Sequence, residues 1–210
     1  MKLVYLTREE EAMLSGKKGK AVQKAMEILV QLGQIYGASK LIPVNSVHMP
    51  GSSIVVTGEA GVEFIEQLAR DGAGFAAETA LNPAAMDMQC WRELNFECKD
   101  YDCQKRLTSA YVDMGAIPLH TCTPYHNGIF PQYGQHIAWG ESSAIVLANS
   151  IFGAYTNREG GPSAVASALT GRTPLYGYHL EENRRATVLV NVIEKPVTIS
   201  DYGALGYFVG

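Results

Sequence analysis

Residues 41–53 carry the sequence LIPVNSVHMPGSS, in which a short apolar stretch passes directly into small and polar residues. Residues 41–44 have the length and hydrophobicity of a buried strand, and Pro43 lies near its end. Residues 45–53 contain asparagine, serine, proline and glycine, which are typical of a polar turn. This order, strand and then polar turn, indicates a sheet with a ligand-binding edge.

Two further candidate strands also end in polar residues. A weak strand over 74–79 precedes a turn that contains Asn82, and a candidate strand over 118–121 leads to Cys122. In open α/β sheets, ligands bind beyond the carboxyl ends of the strands. We therefore expect Gly51, Asn82 and Cys122 to converge.

Helical patterns occupy much of the remaining chain. Thr7 and Glu10 form a capping-box pattern, which predicts a short helix that ends at Gly16. Apolar residues at helical spacing predict a longer helix over 20–36. Further predicted helices cover 59–70, 86–94, 102–114, 142–152 and 162–169, and further predicted strands cover 135–139 and, most clearly, 187–193. The mixed order predicts an α/β fold, a layered mixed sheet with flanking helices.

The amino-acid composition limits which classes of function this chain can have. The chain has 210 residues, of which 47% are apolar and 18% charged, and its formal net charge is −4. These values indicate a globular protein with neither the basic surface of a nucleic-acid binder nor a membrane span. No signal peptide is apparent, so we expect a soluble, cytoplasmic protein. Four cysteines are too few for a disulfide framework in a chain of this length, which leaves Cys122 free to bind a metal or to act as a thiolate.

Chemically active residues cluster in the second half of the chain. Residues 122–125 (CTPY), 138–143 (AWGESS) and 156–163 (TNREGGPS) bring together a thiol, carboxylates, hydroxyls, an amide and a guanidinium. A packed core does not need this mixture, whereas a pocket for a small polar substrate does.

The chain resembles the aconitase X family over nearly its whole length. The segments that carry the resemblance, in chain order, are LTREE (6–10), LIPV (41–44), LNPA (81–84), CTPY (122–125), HIAWGESS (136–143), TNREGGPS (156–163), TGRTP (170–174) and DYGALG (201–206). The resemblance implies an aconitase-like fold and a hydro-lyase activity. Activities known in the family include dehydration of mevalonate 5-phosphate and of cis-3-hydroxy-L-proline.

The resemblance also assigns roles to particular residues. It implies an iron–sulfur cluster or a mononuclear iron with Cys122 as one ligand, and a catalytic role for Glu141 and Ser142. The implied substrate contacts are Gly51, Ser52, Ser53, Asn82, Pro83, Glu141 and Ser142. Family chains are much longer, so residues 1–210 are expected to form an N-terminal portion of the dehydratase domain. Such a portion lacks the remaining metal ligands and need not be active alone, and a small subunit is an expected partner.

Several residues have structural alternatives. Cys122 could be a buried, inert thiol, and Glu141 and Ser142 could simply start a helix. A serine base would need a neighbouring positive charge to lower its pKa, for which Arg158 is a candidate. Among the histidines, His48 lies in the first polar turn and is a candidate pocket residue, whereas His120, His126 and His136 are expected to be structural. The alternative function is a non-catalytic domain that binds a carboxylate or a phosphate.

Overall fold

The structure, a computed structural model, describes residues 3–209 and divides the chain into two compact units. The first ends at Leu180 and the second begins at Glu181. In chain order, the main elements are α1 (Arg8–Leu14), α2 (Lys20–Tyr36), β1 (Leu41–Pro43), β2 (Ser46–Met49), α3 (Ile54–Arg70), β3 (Glu78–Leu81), α4 (Cys98–Asp113), β4 (Ala138–Trp139), α5 (Ser142–Leu147), α6 (Gly161–Thr170), β5 (Arg172–Pro174) and α7 (Ile199–Val209).

The centre of the first unit is a three-stranded parallel sheet in the order β3-β2-β4. Its middle strand, β2, lies inside the segment that the sequence predicted to be a polar turn, so that part of the prediction is wrong. Ser46 and His48 give the strand a polar appearance, yet both side chains are buried. The Trp139 indole nitrogen donates to the Ser46 hydroxyl at 3.0 Å, which satisfies one of these polar groups inside the protein.

The predicted strand over 41–44 is confirmed as β1, but it belongs to a second sheet. β1 pairs antiparallel with β5, with Ile42 opposite Thr173. Residues 44–45 then turn the chain into β2. The α/β class is therefore confirmed, with two small sheets flanked by helices.

The helices with local signals are confirmed. The Thr7 hydroxyl accepts from the Glu10 amide at 3.3 Å, and the Glu10 carboxylate accepts from the Thr7 amide at 2.8 Å, which completes the capping box of α1. Gly37 ends α2 with a φ of 69°. Every residue of α6 from Ser163 to Thr170 is buried, because small side chains let the helix pack closely between α2 and β2.

Three predicted elements are absent, and one unpredicted helix, α7, is present. Residues 187–193 form no strand, since none of the described residues pairs with them, and Ile193 is 99% exposed. Residues 86–94 form turns because the Asp87 carboxylate accepts backbone amides that a helix would use. Residues 118–121 form a loop that follows a single bridge between Ala80 and Ile117. Among the described residues, no helix is long and apolar enough to cross a membrane.

Residues 156–159, predicted to line a pocket, are buried apart from Arg158. The Thr156 hydroxyl donates to the Asn157 carbonyl at 2.7 Å. The Glu159 side chain lies near Ser163 of α6 and Thr173 of β5 and is only 4% exposed, and its Oε1 has no hydrogen-bond partner among the described residues. Burial raises the pKa of Glu159, and the hydroxyls of Ser163 and Thr173 oppose this only in part.

We predict that Glu159→Gln removes a pH-dependent loss of stability. Because its pKa is raised on folding, Glu159 holds its proton more tightly in the folded protein than in the unfolded chain. The free energy of unfolding therefore falls as the pH rises from the ordinary carboxyl value of 4.5 through the raised one. Melting temperatures of the variant and the wild type should diverge with rising pH, whereas those of Glu63→Gln, an exposed control, should run parallel to the wild type.

Candidate active site at the carboxyl ends of the parallel strands

Parallel pairing brings the three polar turns to one edge of the sheet. Gly51 follows β2, Asn82 follows β3 and Glu141 follows β4. The Ser52 hydroxyl donates to the Asn82 carbonyl at 2.6 Å and thereby joins the first two turns. The expected convergence of Gly51 and Asn82 is confirmed, and Ser52 is completely buried as the link between them.

Gln104 of α4 holds the same two turns from behind. Its side-chain nitrogen donates to the Ser52 carbonyl at 2.8 Å. Its side-chain oxygen accepts from the Ile54 amide at 3.2 Å and from the Ala85 amide at 3.0 Å. No local pattern in the sequence indicates that Gln104 holds these turns, because a glutamine within an amphipathic helix is ordinarily a solvated residue.

Glu141 lies at the start of α5 and is held by two neighbours. Asn82 Nδ2 donates to Glu141 Oε2 at 3.0 Å, and the Ser142 hydroxyl donates to Glu141 Oε1 at 3.2 Å. The pKa of Glu141 is lowered, first by the bond from Asn82 and further by Ser142 and by the nearby His48, against partial burial. Asn82 Oδ1 is buried and has no partner among the described residues, so it is available to accept a hydrogen bond from a ligand.

Cys122 lies on the loop that passes this edge, and its side chain is exposed. The thiol is therefore not buried, in contrast to the structural alternative, while its role as a ligand stays a prediction. The pKa of the Cys122 thiol is raised by partial desolvation and by the Glu141 carboxylate. A cation bound at the sulfur would reverse this effect, since it would favour the thiolate.

Two histidines complete the site. His48 is buried, and its Nε2 lies 2.8 Å from the Thr121 carbonyl, next to Cys122. Burial lowers the pKa of His48, while the Thr121 carbonyl and Glu141 act in the opposite direction. His120 was expected to be structural, and its Nδ1 lies 3.4 Å from the Asn82 backbone carbonyl, with a φ of 48° in the left-handed region.

A cavity of about 480 Å³ adjoins the site. It is lined by Pro83, His120 and the turns that follow Pro83: Ala84, Met86, Asp87, Met88 and Gln89. A groove of about 560 Å³ between α3 and α4 contains none of the candidate site residues. The sequence did not indicate the first cavity, because residues 86–94 carry a helical pattern.

Metal-binding side chains are sparse at this edge. Within residues 3–209, no three side chains among histidine, cysteine, aspartate and glutamate are grouped closely enough to hold a metal ion. Cys122 and Glu141 lie close enough at the site for the carboxylate to raise the pKa of the thiol. Cys98 and Cys103 lie in α4, where the Cys103 thiol donates to Glu59 Oε2 at 3.2 Å; Cys98 is exposed and Cys103 is half-buried.

Comparison with known proteins identifies the relatives of this chain. The family model for the aconitase X first domain matches residues 3–182. A phosphomevalonate dehydratase large subunit from Methanothermobacter thermautotrophicus is 51% identical over 207 residues, covering 99% of this chain and 52% of the relative. A cis-3-hydroxy-L-proline dehydratase from Hypocrea jecorina is 39% identical over 210 residues, covering 99% of this chain and 35% of the relative.

A solved structure gives the same result. The crystal structure of Thermococcus kodakaraensis aconitase X in its holo-form superposes with a TM-score of 0.89 at 48% identity. The match covers 98% of this chain and 51% of that one. The chain thus spans about half the length of the phosphomevalonate dehydratase large subunits that it matches.

We predict that Gly140→Ala destabilises the site edge. A Cβ atom at position 140 would lie 2.6 Å from Pro50 Cβ and 2.8 Å from the Glu159 carbonyl oxygen, so the ends of β2 and β4 would have to separate. A cost of about 1–3 kcal/mol is expected from such overpacking. Chemical denaturation checks this, with Gly74→Ala as the matched control, because a Cβ there meets nothing within 4 Å. Equal stability of the two variants would contradict the prediction.

At position 120, we expect glycine to be more stable than alanine. Both His120→Gly and His120→Ala remove the imidazole, but only alanine keeps a Cβ in the left-handed conformation, at a cost of about 1 kcal/mol. The order should reverse at Lys105, an exposed residue of α4, where glycine is the weaker helix former. Urea denaturation of the four variants measures both differences.

Proposed function

Because the chain belongs to the aconitase X family, we propose that it takes part in a hydro-lyase reaction that removes water from a small hydroxy acid. The observation that carries the proposal is the arrangement around Glu141, whose carboxylate is held by Asn82 and Ser142 beside the exposed Cys122 thiol. Because the chain spans about half the length of these relatives, we propose the activity for the whole protein.

We assign Cys122 as one ligand of an iron–sulfur cluster or an iron ion. The sulfur is exposed, it lies on a loop, and a carboxylate is nearby, which suits a cationic metal. A cluster needs more ligands than the described residues bring together. When bound, such an iron centre would supply a Lewis acid for the departing oxygen.

Glu141 is our candidate for the group that takes the carbon-bound proton. Dehydration breaks a C–H and a C–O bond: the C–H electrons form the double bond while Glu141 takes the proton. The hydroxyl leaves as hydroxide with the C–O electrons and becomes water by taking up a proton from the solvent. Glu141 has a lowered pKa and is therefore ionised and able to accept a proton. The Ser142 hydroxyl donates to the Glu141 carboxylate, and among the described residues no hydrogen bond joins it to Arg158, the cation that was expected to activate it. This geometry favours Glu141 over Ser142 as the base.

The remaining predicted residues are proposed to bind the substrate. Asn82 Oδ1 is an unused acceptor for a substrate hydroxyl. Gly51, Ser53 and Pro83 lie in the adjoining turns, and the adjacent cavity offers room for the distal part of the substrate. Ser52 acts through Asn82, whose carbonyl it holds.

Mevalonate 5-phosphate is our first candidate substrate, and cis-3-hydroxy-L-proline is the second. The identity to a relative named for the first substrate is 51%, against 39% for a relative named for the second. That first relative is named as a large subunit, which supports a small subunit as a partner. All four cysteines are free thiols, which supports a reducing compartment such as the cytoplasm. We propose that residues 1–210 contribute the N-terminal portion of the dehydratase domain.

We predict that Cys122→Ala abolishes iron binding. Anaerobically purified full-length protein, which includes the segment that follows residue 210 in the relatives, should contain iron, accompanied by acid-labile sulfide where the centre is a cluster. The variant should lose the iron, because the Cys122 thiolate is one of its ligands. Cys98→Ala removes an equally exposed thiol from α4 and should retain the wild-type iron content. Elemental analysis and absorption spectra provide the measurement.

Undiminished iron in Cys122→Ala would falsify the ligand assignment. Iron-free wild-type protein that still binds mevalonate 5-phosphate in calorimetry would instead support the non-catalytic binding domain. Loss of water from either substrate is followed by the alkene proton signals of the product in NMR spectra.

A further inference from the structure

We propose that His48 is a positioning residue that fixes the Cys122 loop through a hydrogen bond to the Thr121 carbonyl. The importance of this loop for iron depends on the proposed function, but the fixing of the loop does not. The bond joins residues that are 73 positions apart and links the middle strand of the sheet to the residue before the cysteine.

The geometry determines which nitrogen of His48 carries the proton. A carbonyl oxygen can only accept, so Nε2, at 2.8 Å, must be the donor. Nδ1 is buried without a partner among the described residues, which agrees with a neutral ring in this tautomer. The ring is 1% exposed, and a hydrogen bond in such a low-dielectric environment is stronger than one at the surface.

The Cys122 loop has few other connections to the rest of the protein. In the described part of the chain, the Cys122 thiol interacts with the Glu141 carboxylate, and two further long-range bonds besides that of His48 involve the backbone of another turn. The Thr121 amide donates to the Leu81 carbonyl at 3.4 Å, and His120 Nδ1 lies 3.4 Å from the Asn82 carbonyl. Both are at the long end of the hydrogen-bond range, so the His48 bond is the shortest of the three.

His48 itself is held firmly. It is paired with Ala80 of β3 on one side and Trp139 of β4 on the other. Its carbonyl accepts from the Gly140 amide at 3.2 Å, and its ring packs edge-on against Trp139 with the centroids 5.8 Å apart. Because the His48 ring is fixed in the sheet, its hydrogen bond to Thr121 restricts the movement of the Cys122 loop.

Two conservative variants separate this role from general packing. In His48→Gln, the amide nitrogen can lie near the position of Nε2 and keep the bond to Thr121. In His48→Asn, the shorter side chain places its nitrogen near the position of Nδ1 and loses that bond. Both replace an aromatic ring by an amide, so a loss that arises from packing alone would affect both.

Hydrogen–deuterium exchange of the full chain measures the effect. We expect peptides that cover residues 118–128 to exchange about fivefold faster in His48→Asn than in the wild type, and His48→Gln to stay close to the wild type. Peptides from α2 are the internal control for global stability and should not change. Equal exchange of the loop in the wild type and His48→Asn, or equal acceleration in both variants, would overturn the proposal.

A measurement on the unmodified protein keeps the proposal testable if a variant fails to fold. Long-range ¹H–¹⁵N spectra of the wild type should show His48 as the neutral tautomer with its proton on Nε2. A proton on Nδ1 would overturn the proposal. Absence of iron from the wild type would contradict the proposed function alone and would leave both of these tests intact.

Discussion

The parallel pairing of β2 with both of its neighbours is the constraint on which the rest of the site depends. Parallel strands end at the same edge, so the turns after β2, β3 and β4 must meet there. Gly51, Asn82 and Glu141 are brought together in this way from positions far apart in the chain. His48 and Met49 lie on opposite faces of β2. A shift of the strand by one residue would exchange these faces, so the register is strongly determined.

Buried polar groups give this edge its rigidity. Gln104 and Ser52 form hydrogen bonds with backbone groups of the turns after β2 and β3. The Asn82 side chain joins these turns to Glu141. At this edge, Asn82 Oδ1 and His48 Nδ1 are buried and have no hydrogen-bond partner among the described residues. Unsatisfied buried polar atoms are costly and rare, and they concentrate where a protein binds something that supplies the missing partner.

Local signals predicted most of the helices and failed for several strands, among them β2 and the strand expected over residues 187–193. The capping box of α1 and the apolar spacing of α2 are stabilised within each helix, so neighbouring residues suffice to predict them. β2 has only four residues, and its stability comes from two neighbouring strands and the Trp139 indole. At residues 187–193 the error is the opposite one, a strand that is predicted but absent. A β-branched pattern forms a strand only where another strand can pair with it.

The sequence by itself determined which chemical groups the site contains, since each of Asn82, Cys122 and Glu141 lies in a short polar segment that local composition marks as a turn or a helix start. Only the tertiary structure decided how these groups act on one another. Hydrogen bonds and charges act over a few ångströms, so the state of the Cys122 thiol depends on Glu141, and the place of its loop on His48. Distances between residues so far apart along the chain are fixed by packing, which local sequence patterns do not record.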